Sequence, residues 1–191
     1  MDVKGLITHR FSVDQAAEAY QLIEGKKTEP YLGILLQYSQ LQAQSEQESR
    51  IAVNSAAIDK DKLGISFYGA GNYATASLLP PLNGRDDLQF RGLVTASGRT
   101  AQGVAQQFDF GFCAGEFDEL LEDDTDAVMV TTRHDTHGSS VARALAGQKH
   151  VYVEKPLAMS IEELATIHSV YQQTDKQVMV GFNRRFAPTT L

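Results

Sequence analysis

The chain has 191 residues, 42% of them hydrophobic and 21% charged, which suits an ordinary globular protein of one domain or slightly more. Its formal net charge of −7, with no basic patch, argues against a nucleic-acid partner. The single cysteine, Cys113, excludes an intrachain disulfide framework and suits a reducing, cytoplasmic compartment, and no apolar run reaches the length of a membrane span.

Residues 1–38 read as a tail. Asp14 to Ile23, DQAAEAYQLI, has apolar residues at helical spacing. Ser12 or Asp14 is placed to cap this helix, and Gly25-Lys26-Lys27 to stop it. Tyr31 to Tyr38, YLGILLQY, reads as a strand. One helix and one strand bury little apolar surface alone, so the segment is expected to need a partner surface. LITHRF, AAEAYQLI and the strand after them resemble the C-terminal end of zinc-type, medium-chain alcohol dehydrogenases. The zinc ligands of that family lie upstream of such a segment, so the resemblance implies no metal here. His9 has no partner at ligand spacing and reads as a polar residue at a strand edge. Residues 39–61 are rich in Gln, Ser, Glu and Ala and read as a linker holding the domain boundary.

From residue 62 to 185 strands alternate with helices. Leu63 to Tyr68 is an apolar run that leads into Gly69-x-Gly71-x-x-Ala74. In a strand–turn–helix, the first glycine permits the turn and the second lets a pyrophosphate approach the backbone. The small third residue lets helix and strand pack closely. Tyr73 to Leu82 reads as a helix that Pro80 and Pro81 kink or end. Strands are expected at 90–96, 110–113, 127–132, 150–153 and 177–182, with helices at 100–108, 116–121, 135–146 and 160–173. Asp135 or Thr136 is expected to cap the helix that ends at Gly147. Ser160 and Glu163 form a capping box, and Ile161, Leu164, Ile167, Val170 and Tyr171 share one face. The pattern defines an α/β fold, a doubly wound parallel sheet of the Rossmann type.

Ligands of such sheets bind at the carboxyl ends of the strands. The second strand ends in Thr95-Ala96-Ser97-Gly98-Arg99, without the acid that usually accepts from the ribose 2′-OH of NAD. Ser97 and Arg99 are candidates to hold a 2′-phosphate, so NADP is admitted beside NAD; the plainer alternative makes Arg99 a solvated helix-start residue. The fourth strand ends in Thr131-Thr132-Arg133-His134-Asp135-Thr136-His137. A metal needs further ligands than these supply, and the stretch reads as a cofactor-side wall and helix cap. The fifth strand ends in Glu154-Lys155-Pro156. A lysine beside a nicotinamide can polarise a carbonyl or assist removal of a hydroxyl proton, with Glu154 orienting it; the alternative is a surface ion pair.

YGAGNYA, TTRHDTH, GQKHVYVEKPLA and VGFNRRFAP, in this order and spacing, resemble the glucose–fructose oxidoreductase / inositol dehydrogenase / MocA family over Leu63 to Pro188. The resemblance implies an NAD- or NADP-binding Rossmann domain of an enzyme that oxidises or reduces a ring carbon of sugars, nucleotide sugars or inositols. It implies Lys155 as the active-site lysine, contacting substrate and nicotinamide, with a cis bond before Pro156, which also borders the cofactor. Gly69, Gly71, Asn72 and Tyr73 would line the pyrophosphate. Thr131, Thr132, His134, His137 and Glu154 would sit near the nicotinamide and its ribose, with Asn183 and Arg184 at the crossover into a substrate domain. That domain, which in the family often carries the oligomer interface, is expected to be missing, residues 186–191 being only its start. The expectation is therefore a cofactor-binding fragment of low activity, taken from a carbohydrate-active enzyme that can be a homo-oligomer. The alternative is a non-catalytic dinucleotide-binding sensor or scaffold.

Overall fold

The structure, a computed structural model, describes residues 4–38, 50–54, 57–95, 98–121 and 124–187, without the side chains of residues 98–100. It divides into two compact units, Met1–Gln47 and Glu48–Leu191.

In the first unit β1 (Ile7–Ser12) and β2 (Gly33–Gln37) pair in parallel, joined through α1 (Ala16–Ile23). A 3₁₀ turn, Val13–Gln15, leads into the helix, and the Ser12 N–H donates to Gln15 Oε1 at 3.2 Å. Gly25 ends the helix at φ +73°, the left-handed conformation that glycine adopts without a Cβ penalty. Its N–H donates to the Leu22 carbonyl and that of Lys26 to the Gln21 carbonyl, which satisfies the last turn. Ala19 and Leu22 are buried, while Tyr20, Ile23, Leu32 and Tyr38 are exposed. His9 lies on β1 with Nε2 3.4 Å from Glu29 Oε2.

The second unit holds a seven-stranded sheet. Its strands are β3 (Arg50–Ala52), β4 (Leu63–Tyr68), β5 (Leu88–Val94), β6 (Phe112–Ala114), β7 (Ala127–Val130), β8 (His150–Glu154) and β9 (Val178–Gly181). They lie in the order β3-β6-β5-β4-β7-β8-β9. Every pair is parallel except β3 with β6. Leaving β3 aside, the order reverses direction beside β4, the switch point where a doubly wound sheet opens a crevice.

The linker expected over 39–61 is therefore corrected at Arg50–Ala52, which belongs to the sheet. The N–H groups of Val53 and Asn54 continue the attachment by donating to the Gly111 carbonyl at 2.9 and 3.1 Å. The rest of the linker falls partly outside the described residues.

The helices are α2 (Leu79–Leu82), α3 (Gly98–Gln107), α4 (His134–Ala146) and α5 (Ile161–Tyr171). A π-helical stretch, Ala74–Leu78, runs into α2, whose first turn contains Pro80 and Pro81. A proline has no N–H to give and its ring collides with the carbonyl four residues back. The wider π winding relieves both, so the helix absorbs the prolines instead of stopping at them.

Side chains alternate across the sheet. Val128, Val130, Val151 and Val153 pack with Val141, Ala144 and Leu145 of α4 and Ile167 of α5. Ile65, Phe67 and Phe90 pack with Leu79 of α2 and Ala101 and Ala105 of α3. Phe90 stacks on Phe110 at 4.8 Å between ring centres, and Phe67 meets both rings edge-on. On α5 the expected apolar face is only partly covered: Ile167 is buried, while Ile161, Leu164 and Tyr171 are exposed. Its capping box is also half-formed. Ser160 Oγ accepts from the Glu163 N–H at 3.2 Å, but the Glu163 carboxylate takes the Met159 N–H instead. No helix among the described residues is long and apolar enough to cross a membrane.

Candidate functional site

The chain leaves β4 through Gly69, held at φ +105°. A Cβ built there would stand 2.8 Å from the carbonyl carbon and oxygen of Thr131 and 2.9 Å from the Thr132 nitrogen. Conformation and space both demand glycine. The three central strand exits are laced together at this point. The Gly69 N–H donates to the Val94 carbonyl and the Thr131 N–H to the Tyr68 carbonyl, both at 2.8 Å. Thr131 Oγ1 donates to the Gly69 carbonyl at 2.9 Å.

A Cβ on Gly71, two residues on, would meet nothing within 4 Å. It faces a cleft of about 530 Å³ lined by Gly69, Gly71, Thr95, Thr131 and Thr132. Arg133, Asp135 and Thr136 complete the wall at the start of α4. The sequence places these three in the stretch expected to form the cofactor-side wall, but does not name them as individual contacts, because an exit loop reads as polar whichever way its side chains turn. The open floor at Gly71 and the helix that begins at Asn72 fit a diphosphate, whose charge is met by backbone N–H groups and the positive end of a helix.

The expected cap of α4 is corrected. Its N-cap is Arg133, with extended backbone and no capping side chain. The Thr136 hydroxyl turns back to the Arg133 carbonyl at 2.9 Å and shares a 2.6 Å bond with Thr132 Oγ1, so it is committed elsewhere.

His137 is fully buried behind this wall. Its Nδ1 lies 2.7 Å from the Pro156 carbonyl and its Nε2 3.2 Å from the Thr132 carbonyl. It pins the β7 and β8 exits together and is not among the side chains lining the cleft. His134 is exposed, its ring packed edge-on against His137. Among the described residues no group of three or more His, Cys, Asp or Glu is placed to hold a metal ion.

A second group of side chains gathers beyond β7. Tyr152 and Glu154 share one face of β8, and the tyrosine hydroxyl donates to Glu154 Oε1 at 2.5 Å. Asn183 Nδ2 donates to the Tyr73 hydroxyl at 2.9 Å, which ties the end of the glycine loop to the exit of β9. Burial, and then the Glu154 carboxylate, push the Tyr152 phenol well above its ordinary range, so it acts as a donor throughout.

Lys155 follows Glu154 in an exposed bend, with a cis bond to Pro156. No ion pair joins Glu154 to Lys155; the expectation that Glu154 orients the lysine gives way to its bond with Tyr152. Asn72 is exposed, its carbonyl accepting from Thr75 Oγ1 at 3.3 Å. Arg184 follows Asn183 in a 3₁₀ turn. Ser97 and the side chain of Arg99 lie outside the described residues. The structure thus brings Gly69, Gly71, Thr131 and Thr132 together in the cleft, and Tyr73, Glu154 and Asn183 beside it with Tyr152.

A Gly-x-Gly turn out of the central strand of a parallel sheet, opening on a cleft at the strand ends, defines a dinucleotide-binding Rossmann domain. Residues 63–182 match the Gfo/Idh/MocA family of oxidoreductases, an NAD-binding Rossmann fold, and the chain belongs to that family. It is 41% identical over 71 residues to scyllo-inositol 2-dehydrogenase (NAD(+)) of Bacillus subtilis, a stretch covering 37% of this chain and 21% of that protein. It is 38% identical over 65 residues to inositol 2-dehydrogenase of Rhizobium meliloti, covering 34% of this chain and 20% of that one.

The crystal structure of a Gfo/Idh/MocA oxidoreductase from Vibrio cholerae superposes with a TM-score of 0.61 at 28% identity, over 66% of this chain and 40% of that one. A 3-ketoreductase from Actinomadura kijaniata, solved with TDP-benzene and NADP, shares the fold with a TM-score of 0.61 at 24% identity, over 67% of this chain and 40% of that chain. The chain therefore spans well under half the length of these relatives. The family match begins downstream of the first unit.

Proposed function

We propose that this chain is the cofactor-binding part of an NAD- or NADP-dependent oxidoreductase. The complete enzyme would move hydride between the nicotinamide and a hydroxyl of a sugar-, nucleotide-sugar- or inositol-like compound. The observation that carries this is the Gly69–Gly71 turn opening on the cleft at the strand ends. The inositol dehydrogenases and the ketoreductase among its relatives support the substrate class.

A bound dinucleotide would supply the hydride donor or acceptor. Gly71 and the N–H groups that follow it would hold the diphosphate. Tyr73, Glu154 and Asn183 would flank the nicotinamide side, and Ser97 with Arg99 would meet a 2′-phosphate. Lys155, free of any ion pair with Glu154, would hold or deliver a proton at the substrate hydroxyl. We read the first unit, whose element order is strand, helix, strand, as similar to the C-terminal end of alcohol dehydrogenases on its residues LITHRF and AAEAYQLI.

By itself the chain is expected to bind cofactor and turn over poorly. Titration with NADH and NADPH, followed by nucleotide fluorescence, should saturate with at least one of them; no response to either overturns the proposal. In the complete enzyme, Lys155→Ala is expected to lower turnover by about 100-fold or more while leaving NADH affinity within about two-fold. Unchanged turnover would mark a non-catalytic binding module instead.

A further inference from the structure

The carboxyl ends of β8 and β9 hold a side-chain arrangement that no motif specifies. Tyr152 and Glu154 stand two positions apart on one face of β8, joined hydroxyl to carboxylate at 2.5 Å. Gly181 of β9 lies beside Glu154 in the strand register. A Cβ on Gly181 would fall 2.4 Å from the Tyr152 hydroxyl and 2.6 Å from Glu154 Oε1. The hydroxyl–carboxylate pair therefore fills the volume that any other residue at 181 would claim.

Tyr73, in the first turn of the helix that follows the glycine turn, bears on the Tyr152 hydroxyl and raises its pKa further. Tyr73 is itself held by Asn183. Glu154 is fixed through one oxygen only: among the described residues its Oε2 makes no hydrogen bond.

Along the carboxyl edge the exits follow in the order β5, β4, β7, β8. With the diphosphate at the β4 exit and the adenosine toward β5, the next group on the β7–β8 side is the second ribose. A carboxylate only accepts hydrogen bonds, and a ribose cis-diol offers two donors.

We propose that Tyr152 is a positioning residue. It holds Glu154 by one oxygen so that the other receives the hydroxyls of the ribose on the nicotinamide side, and Gly181 supplies the room. This rests on the cofactor reading above.

The test compares NADH, ADP-ribose and ADP as ligands of the whole chain, by calorimetry, in wild type, Tyr152→Phe, Gly181→Ala, Glu154→Gln and the double variant Tyr152→Phe/Glu154→Gln. Tyr152→Phe preserves ring packing. The Gly181→Ala methyl group meets the far ends of two side chains and no backbone, so they are displaced rather than the strand. Both should fold, which unfolding midpoints verify. Each is expected to weaken NADH and ADP-ribose by about ten-fold, the size of one charge-assisted hydrogen bond, and to leave ADP, which lacks the second ribose, unchanged.

The double variant should bind no more weakly than Glu154→Gln alone. Unchanged NADH affinity in Tyr152→Phe and Gly181→Ala, equal losses for ADP, or additive losses in the double variant would overturn the positioning role while the cofactor reading stands. If wild type binds none of the three ligands, the cofactor reading fails and the positioning role with it.

Discussion

Gly69 and Gly71 have the same chemistry and opposite surroundings, so alanine at each should fail differently. At Gly69 a methyl group meets the Thr131 backbone, and the φ of +105° is strained for any L-residue. Gly69→Ala is expected to cost about 1–3 kcal/mol of stability or more and to abolish NADH binding. Gly71→Ala meets open space, so unfolding midpoints should stay within about 0.5 kcal/mol of wild type while affinity falls, since the methyl group projects into the cleft.

The Tyr152 phenol carries a pH signature. Its native pKa is raised, first by burial and then by Glu154, so the folded chain keeps this proton where the unfolded chain, with an ordinary phenol near pH 10, gives it up. The associated stability is complete below about pH 10 and declines as pH rises further. Urea midpoints from pH 8 to 11 should decline less steeply in Tyr152→Phe than in wild type.

The glycine turn at Gly69 and Gly71 and the strand end at Glu154–Lys155 are legible in the sequence as local structure, because a turn and a strand end impose recognisable residue types. Tyr152 is not. HVYV is ordinary strand composition, and the value of its hydroxyl depends on a missing side chain at Gly181, on another strand.

The central strands announce themselves at the scale of elements. Buried on both faces, β4 becomes a nearly continuous apolar run, as parallel strands do, and β7 is apolar throughout, whereas β5 carries Gln89 and the buried Arg91. Ser66, fully buried in the middle of β4, breaks that pattern for a reason the chain order conceals. The register between β4 and β5 shifts between Ile65 and Phe67, and the Ser66 hydroxyl accepts the Gly92 N–H at 3.0 Å. It also bonds Thr125 Oγ1 at 2.7 Å. Ser66→Ala would strand both groups in the core, at an expected cost of about 1–3 kcal/mol in chemical denaturation, with faster amide exchange at Gly92. The helix after the glycine loop was legible as a helix, but its π winding was not, because only the geometry shows how the backbone accommodates Pro80 and Pro81. The edge strand β3 buries none of its three side chains, although Ile51 and Ala52 are apolar, and it is held by backbone pairing to β6 and by Arg50 stacked 3.6 Å over the Phe112 ring.

At the scale of the whole molecule, likeness to relatives and physical compactness draw different boundaries. The family match opens at Leu63, while the compact unit opens at Glu48. A fall in apolar content between 39 and 61 suggests a boundary there, but composition does not tell which side Arg50–Ala52 serves. A chain starting at Glu48 is expected to keep the unfolding midpoint of the second unit and its NADH affinity. A chain starting at Leu63 would lose β3 and leave the outer N–H and C=O groups of β6 open. Those groups form a short adhesive seam, able to template pairing with another copy. Light scattering should find the first chain monodisperse and the second self-associating as its concentration rises; equal behaviour would show that β3 is dispensable. Three residues with no buried side chain would then act as a guard against aggregation.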